Sequence, residues 1–297
     1  MSKEADVMKI TAIAPWFGGK RNLAPKIVEM LGEHRVYWEP FCGSMAVLFA
    51  KPTCVMETVC DLHGGLTNLA RVVQDRELGL QLYEMTAKTL MCEQLFKEAA
   101  ERIKSGDYQT GHGNLNLDWA YDFMLCNWLG RNGVAGTKSY NYALCVRYTA
   151  NGGHAAKRWR SVVESIPAWQ WRLMNVTILN RDAFEVLERI EDKAGTAIYI
   201  DPPYFKKGAQ YVHDFEAEDH QRLADSLARF RESRVVVSYY DNPRIDELYP
   251  GWDRKKMEVS KAMANQCSRG TKDVKATEVL LCNQAIEKEA EVPTLWQ

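Results

Sequence analysis

The chain has 297 residues, which fits one large domain or one domain carrying a sizeable insertion. Its 38 Lys and Arg against 39 Asp and Glu leave a net charge of −1, which argues against a polybasic nucleic-acid coat, and an apolar fraction of 46% argues against a largely disordered chain. No uncharged apolar run approaches the ~18–20 residues of a bilayer span, and the charged opening MSKEADVMKI lacks an apolar signal core, so a soluble cytoplasmic protein is expected.

Residues 1–75 alternate short apolar runs with glycine-containing turns. Pro15-Trp16-Phe17-Gly18-Gly19-Lys20 precedes an amphipathic helix. Val36 to Glu39 reads as a buried strand, Pro40 to Ser44 as a turn and Met45 to Ala50 as a helix. Val55 to Cys60 reads as a second strand ending at Asp61, and Leu66 to Val73 as the next helix. This is the pattern of a parallel sheet.

The character changes over 76–172. The first part is helical in pattern, and glycine- and asparagine-rich segments follow. Between Asp122 and Glu164 lie 41 residues with no acid and six cations: Arg131, Lys138, Arg147, Lys157, Arg158 and Arg160. Tyr140, Tyr142, Tyr148 and Trp159 interleave with them, and Asn132 and Asn151 can read base edges. A solvated basic face is the ordinary explanation for such a run, but its length favours a polyanion.

The alternating pattern returns over 173–297. Val176 to Leu179 is a strand and Ala183 to Ile190 a helix. Ala197 to Ile200 is a strand running into Asp201-Pro202-Pro203-Tyr204. His220 to Phe230 is an amphipathic helix, and Val235 to Ser238 and Glu278 to Leu281 are buried strands. A second basic stretch, Arg254 to Lys275, carries seven cations against Glu258 and Asp273. The expected fold is α/β. One doubly wound, mostly parallel sheet is built from 1–75 and 173–297, and 76–172 is an inserted, mainly helical domain.

The Asp201–Tyr204 turn is the most informative element. Ligands of open α/β sheets bind beyond the carboxyl ends of the strands. Pro202 and Pro203 fix two φ angles and remove two N–H donors. What remains is a rigid acceptor edge, the Asp201 carboxylate and the Pro202 carbonyl, beside the flat ring of Tyr204. That edge suits a planar ligand with an exocyclic amino group. The bland alternative is a strand-ending turn that closes a core. Asp61, 18 residues after Gly43, can accept from ribose hydroxyls or cap a helix. Asp182, just after the strand Val176 to Leu179, can likewise cap a helix. The eight cysteines contain no C-x2-C pair and the six histidines no H-x3-H pair, so reduced, mostly buried thiols and no metal site are expected.

In these motifs the chain resembles the S-adenosylmethionine-dependent amino-methyltransferases, and more closely the Dam-like, D12-class DNA adenine N6-methyltransferases. The resemblance spans nearly the whole chain and is weakest over 76–130. It implies a Rossmann-like methyltransferase fold whose 76–172 insertion recognises the DNA target. It implies that Trp16, Lys20, Glu39, Gly43, Asp61, Asp182 and Asp201 hold S-adenosylmethionine, with S-adenosylhomocysteine as product. Asp182 would accept from the cofactor adenine, with Phe184 packing nearby. Asp201, Pro202, Pro203 and Tyr204 would act on an adenine flipped out of double-stranded DNA. The insertion, through Arg131, Asn132, Lys138, Arg147, Lys157, Arg158 and Arg160, would grip the duplex. No metal or membrane partner is implied, and a cognate restriction endonuclease acting separately is left open.

One departure stands out: Met45 occupies a position where the family often has Gly. Either Met45 starts the helix without a positive φ, or the loop is shifted. Two other activities fit the same acceptor edge, N4-cytosine or RNA amino-methylation. A catalytically silent nucleic-acid binder of this fold is the third alternative.

Overall fold

The computed structural model describes residues 10–108, 115–130, 137–138, 142–145, 155–205, 215–260 and 275–285. Arg131, Asn132, Tyr140, Arg147, Tyr148 and Asn151, named above for the basic insertion, lie outside them.

The sheet has seven strands: β1 (Val36–Glu39), β2 (Met56–Cys60), β3 (Val176–Leu179), β4 (Thr196–Ile200), β5 (Arg234–Tyr240), β6 (Asp253–Ser260) and β7 (Lys275–Cys282). Their spatial order is β3-β2-β1-β4-β5-β7-β6. The pairs from β3 to β5 are parallel, and β7 runs antiparallel to both β5 and β6. The chain therefore winds outward from β1 in one direction and from β4 in the other. The crevice between β1 and β4 is the topological switch point, where such sheets place a ligand.

Side-chain alternation explains the layering. Ala197, Tyr199, Val236, Leu280 and Cys282 enter one apolar core, whereas Ile198, Ile200, Val235, Val237, Val279 and Leu281 enter the other. A two-residue period sends successive side chains to opposite faces. Both faces are covered, which is why β4 is buried throughout and reads as a continuous apolar run. The helices are α1 (Ala24–Leu31), α2 (Ala46–Ala50), α3 (Gly64–Gln74), α4 (Arg76–Ala87), α5 (Glu93–Ser105), α6 (Leu117–Leu129), α7 (Ala155–Leu173), α8 (Ala183–Arg189), α9 (Ala217–Leu227) and α10 (Arg244–Leu248).

All seven strands come from 36–60 and 176–282, and the span between them supplies α3 to α7. Those helices are not separated from the sheet. Leu82, Phe96, Ala120 and Trp159 belong to the same apolar core as Tyr37 and Val59. A buried charge cluster ties them further. Glu57 of β2 takes Lys51 Nζ at 2.5 Å and Arg172 Nη1 at 2.6 Å, and Arg172 Nη2 donates to the Leu48 carbonyl. Burial pushes the Glu57 carboxyl up, but its bonds to Arg172 and Lys51 outweigh that and hold it below its ordinary value.

One expectation needs correction, and two other features gain a place in the fold. Trp159 does not interleave with the basic run on a DNA-facing surface. It is buried, and its Nε1 donates to the Thr86 carbonyl at 3.2 Å. The start of the second basic stretch is the edge strand β6, where Arg254 pairs with Asp246, Lys255 with Glu29 and Lys256 with Asp241. Finally, Met45 has φ 60° and ψ 28°, so it does not begin the helix with an ordinary φ. It caps α2 in the left-handed region, with a fully buried side chain. No disulfide joins the cysteines within the described residues.

Candidate active site

The site is built at the carboxyl ends of β1 to β4. After β1 the chain makes a tight loop in which Met45 N–H donates to the Cys42 carbonyl at 2.7 Å and Gly43 has φ 44°. A Cβ at Gly43 would stand 3.1 Å from the Trp16 ring, a tight contact, and the positive φ also favours glycine. The Trp16–Lys20 segment folds over this loop, where Gly19 N–H donates to the Trp16 carbonyl and Ile13 N–H to the Ser44 carbonyl.

Asp61 follows β2. One of its oxygens accepts from Gly43 N–H at 2.8 Å and the other from His63 N–H at 2.9 Å. The N-cap of α3 is His63, whose Nδ1 accepts from Leu66 N–H. Asp61 therefore clamps the glycine loop from the neighbouring strand. Asp182, after β3, does cap a helix: it accepts from Phe184 N–H at 2.8 Å at the start of α8.

Asp201, after β4, is held from both sides. Oδ2 pairs with Lys20 Nζ at 2.9 Å, and Oδ1 accepts from Ser238 Oγ at 2.8 Å. Ser238 in turn shares a hydrogen bond with the buried Tyr199 hydroxyl. Lys20 is itself buried, donates to the Gly18 carbonyl, and lies 4.9 Å from the centroid of the Tyr204 ring. Burial alone would lower the Lys20 pKa, but the Asp201 carboxylate reverses this and raises it. Lys20 therefore stays charged.

One cleft collects Trp16, Gly43, Asp61, Asp182 and Asp201. Its space, open mouth included, is about 970 Å³. Its far end is aromatic. Phe184 and Phe215 are parallel at 6.2 Å, Phe41 meets Phe215 edge-on, and the Arg222 guanidinium lies 3.9 Å over Phe184. Beneath the cleft is a smaller hollow that Lys20 and Glu39 line together with Trp16, Gly43 and Asp201. Burial pushes the Glu39 carboxyl up to about 8 against the bond it accepts from Tyr37 at 2.9 Å, and the nearby Asp201 charge adds to the rise. Glu39 and Asp201 thus differ in role: one is a neutral carboxylic acid at pH 7 and the other a paired carboxylate.

Pro203 lines the cleft and Pro202 is buried. Tyr204 is 4% exposed, with its ring packed by Lys20 and edge-on to Tyr240 at 4.5 Å. Of the expected DNA contacts that are described, Lys138, Lys157 and Arg160 are exposed and Arg158 is half-buried. Sequence reasoning missed Phe17, Phe41, His63, Phe215, Asp219 and Arg222 around the cleft, and Ser238 and Tyr199 behind Asp201. For the α9 residues one signal was available: Glu216 and Asp219 form a capping box that fixes where that helix begins.

A switch-point cleft with three strand-end carboxylates, an aromatic slot and an Asp-Pro-Pro-aromatic edge is the ligand cleft of an open α/β sheet. Residues 16–265 match the D12 class N6 adenine-specific DNA methyltransferases, and the chain belongs to that family. It is 24% identical over 257 residues to the retron Ec67 DNA adenine methylase of Escherichia coli, with 81% of each chain covered. The family acts on DNA adenine and requires a methyl donor. Among the described residues no group of three or more His, Cys, Asp and Glu side chains is placed to hold a metal ion. No described helix is long and apolar enough to cross a membrane.

Proposed function

We propose that this chain transfers the methyl group of S-adenosylmethionine to N6 of an adenine flipped out of duplex DNA. The observation that carries the reading is Asp201. Its carboxylate is pinned through both oxygens at one end of a cleft whose other end is the Asp182–Phe184 slot.

The residues fit the donor. Gly43 leaves the backbone bare beside the Trp16 ring, the cradle a methionyl chain needs. Asp61 keeps lone pairs beyond its two backbone bonds and can take ribose hydroxyls. Asp182 can accept from an adenine amino group while capping α8, and Phe184, Phe215 and Arg222 supply flat surfaces for the ring. When bound, the donor supplies an electrophilic methyl on sulfur. Lys20 and the neutral Glu39 line the hollow beneath that end.

The N6 lone pair of adenine is delocalised into its ring. Asp201 and the Pro202 carbonyl accept the two N6 hydrogens and so favour the charge that builds on nitrogen as the new bond forms. The methylated nitrogen is strongly acidic and loses its proton to Asp201 or to water. Because Lys20 neutralises Asp201, the carboxylate serves first as an oriented acceptor. For Tyr204 to stack on the base, its ring must leave Lys20 and Tyr240. Extruding the base costs a few kcal/mol. We assign the grip on the duplex to 76–172 and its acid-free basic run, as a target-recognition unit.

Calorimetry with S-adenosylhomocysteine tests the cofactor half. Asp61→Ala and Asp182→Ala should each weaken binding about tenfold or more, the loss of one or two hydrogen bonds to a charged group. Absence of binding to the wild-type chain, or variants that bind like wild type, contradicts the assignment.

A further inference from the structure

A second cavity lies between the N-terminal segment and α7. Arg21 and Arg158 line it with Ser161, Ser165, Trp128 and Trp169. Arg21 comes from the turn that follows Lys20. Its Nη2 donates to the Ala14 carbonyl at 3.2 Å, and its guanidinium lies 5.5 Å from the centroid of the Trp128 ring. Arg158 comes from the first turn of α7 and is half-buried.

Two observations mark this cavity as an anion site. Among the described residues, none that lines it is acidic, so two guanidinium groups share one hollow without a counter-charge. In addition, Arg158 Nε and Trp169 Nε1 are both buried without a hydrogen-bond partner, and Trp169 is only 2% exposed. Each such donor has lost its water without gaining a partner. A tetrahedral oxyanion cancels the repulsion and supplies several acceptors at once, and guanidinium forks match phosphate oxygens in pairs.

We propose that this cavity is a phosphate seat gripped jointly by Arg21 and Arg158. Two sources carry that chemistry: a backbone phosphate of the DNA substrate and free inorganic phosphate. The DNA backbone is favoured, because Lys157 and Arg160 stand exposed on the same turn of α7 and add positive charge near the cavity. This rests on the DNA reading above and deepens it. Arg21 is covalently next to Lys20, which pins Asp201. A filled seat therefore fixes the segment that holds the acceptor edge.

The test uses the full chain with Arg21→Gln, Arg158→Gln and the double variant, each checked for a wild-type melting profile. Arg158→Lys, which keeps the charge but loses the fork, serves as the conservative control and should fall between. Duplex-DNA affinity is measured from 50 to 200 mM KCl. Losing one phosphate contact lowers the log–log salt slope by about 0.9, so each single variant should lose about 3.5-fold less affinity than wild type over that range. A joint grip predicts that the double variant shows the same slope as the singles, whereas a further drop of similar size in the double variant means two separate cations and overturns the seat. Orthophosphate, titrated at constant ionic strength against chloride and followed by tryptophan fluorescence, separates the sources. Orthophosphate binding that both variants abolish, with unchanged DNA slopes, assigns the seat to free phosphate. Folded variants that match wild type in both arms overturn it. A wild-type chain that binds neither S-adenosylhomocysteine nor DNA overturns the functional reading instead.

Discussion

Replacing Glu39 with Gln removes a buried acid that titrates within the working range of the protein. The folded state carries its pKa from 4.5 to about 8, mainly through burial, with Asp201 adding and the Tyr37 hydroxyl opposing. A raised carboxyl pKa means that the folded state holds the proton more tightly. The stability from this group is therefore complete below about pH 4.5 and is lost as pH rises through about 8. Between those limits the loss approaches about 1.36 kcal/mol per pH unit. From pH 5.5 to 7.5 it amounts to roughly 2–2.5 kcal/mol. Gln keeps a carbonyl oxygen for Tyr37 and does not titrate. Urea unfolding of wild type and E39Q at pH 5.5, 6.5 and 7.5 isolates the effect, because other groups cancel in the difference. E39Q should gain on wild type by that amount across the range. Parallel stability curves would refute the placement of a neutral Glu39 beneath the cleft.

Three more outcomes are expected. Met45→Ala and Met45→Gly both lose a fully buried side chain, at about 2–5 kcal/mol. The glycine variant accepts φ 60° and should be the more stable of the two by about 0.5–1 kcal/mol in urea melts, after its greater unfolded-chain entropy is counted. Ser238→Ala removes a charge-assisted bond to Asp201, worth about 1.5–3 kcal/mol, so kcat should fall roughly 10–100-fold, with a smaller change in S-adenosylhomocysteine affinity. Lys20→Met strands the Asp201 carboxylate, which is 19% exposed, and should cost about 2–3 kcal/mol; adding Asp201→Asn should restore part of that loss.

Much of the site was legible because its residues sit at strand ends, where pattern and chemistry coincide. Asp61, Asp182 and Asp201 each follow an apolar run, and the structure brings them with Trp16 and Gly43 to one cleft. Other features were hidden for physical reasons. Strand β6, DRKKMEVS, is a charged edge strand, and charges on an edge protect it from stray pairing while masking the strand pattern. Ser238 and Tyr199 look like ordinary strand residues, and only the parallel register of β4 with β5 brings them behind Asp201. The Met45 dihedral is set by a loop that Asp61 clamps from the neighbouring strand. Trp159, in contrast, could have been placed correctly. Ala155, Trp159, Val162, Val163, Ile166, Trp169 and Leu173 are buried at helical spacing, and the tryptophan lies on that stripe.

The direct measurement of the central claim is the product of the reaction. Wild type is incubated with methyl-labelled S-adenosylmethionine and mixed-sequence duplex DNA, and the DNA is digested to nucleosides. The label should appear in N6-methyladenine, and Asp201→Ala should bring it to background. Label in N4-methylcytosine, or none on any duplex while S-adenosylhomocysteine still binds, would contradict the account.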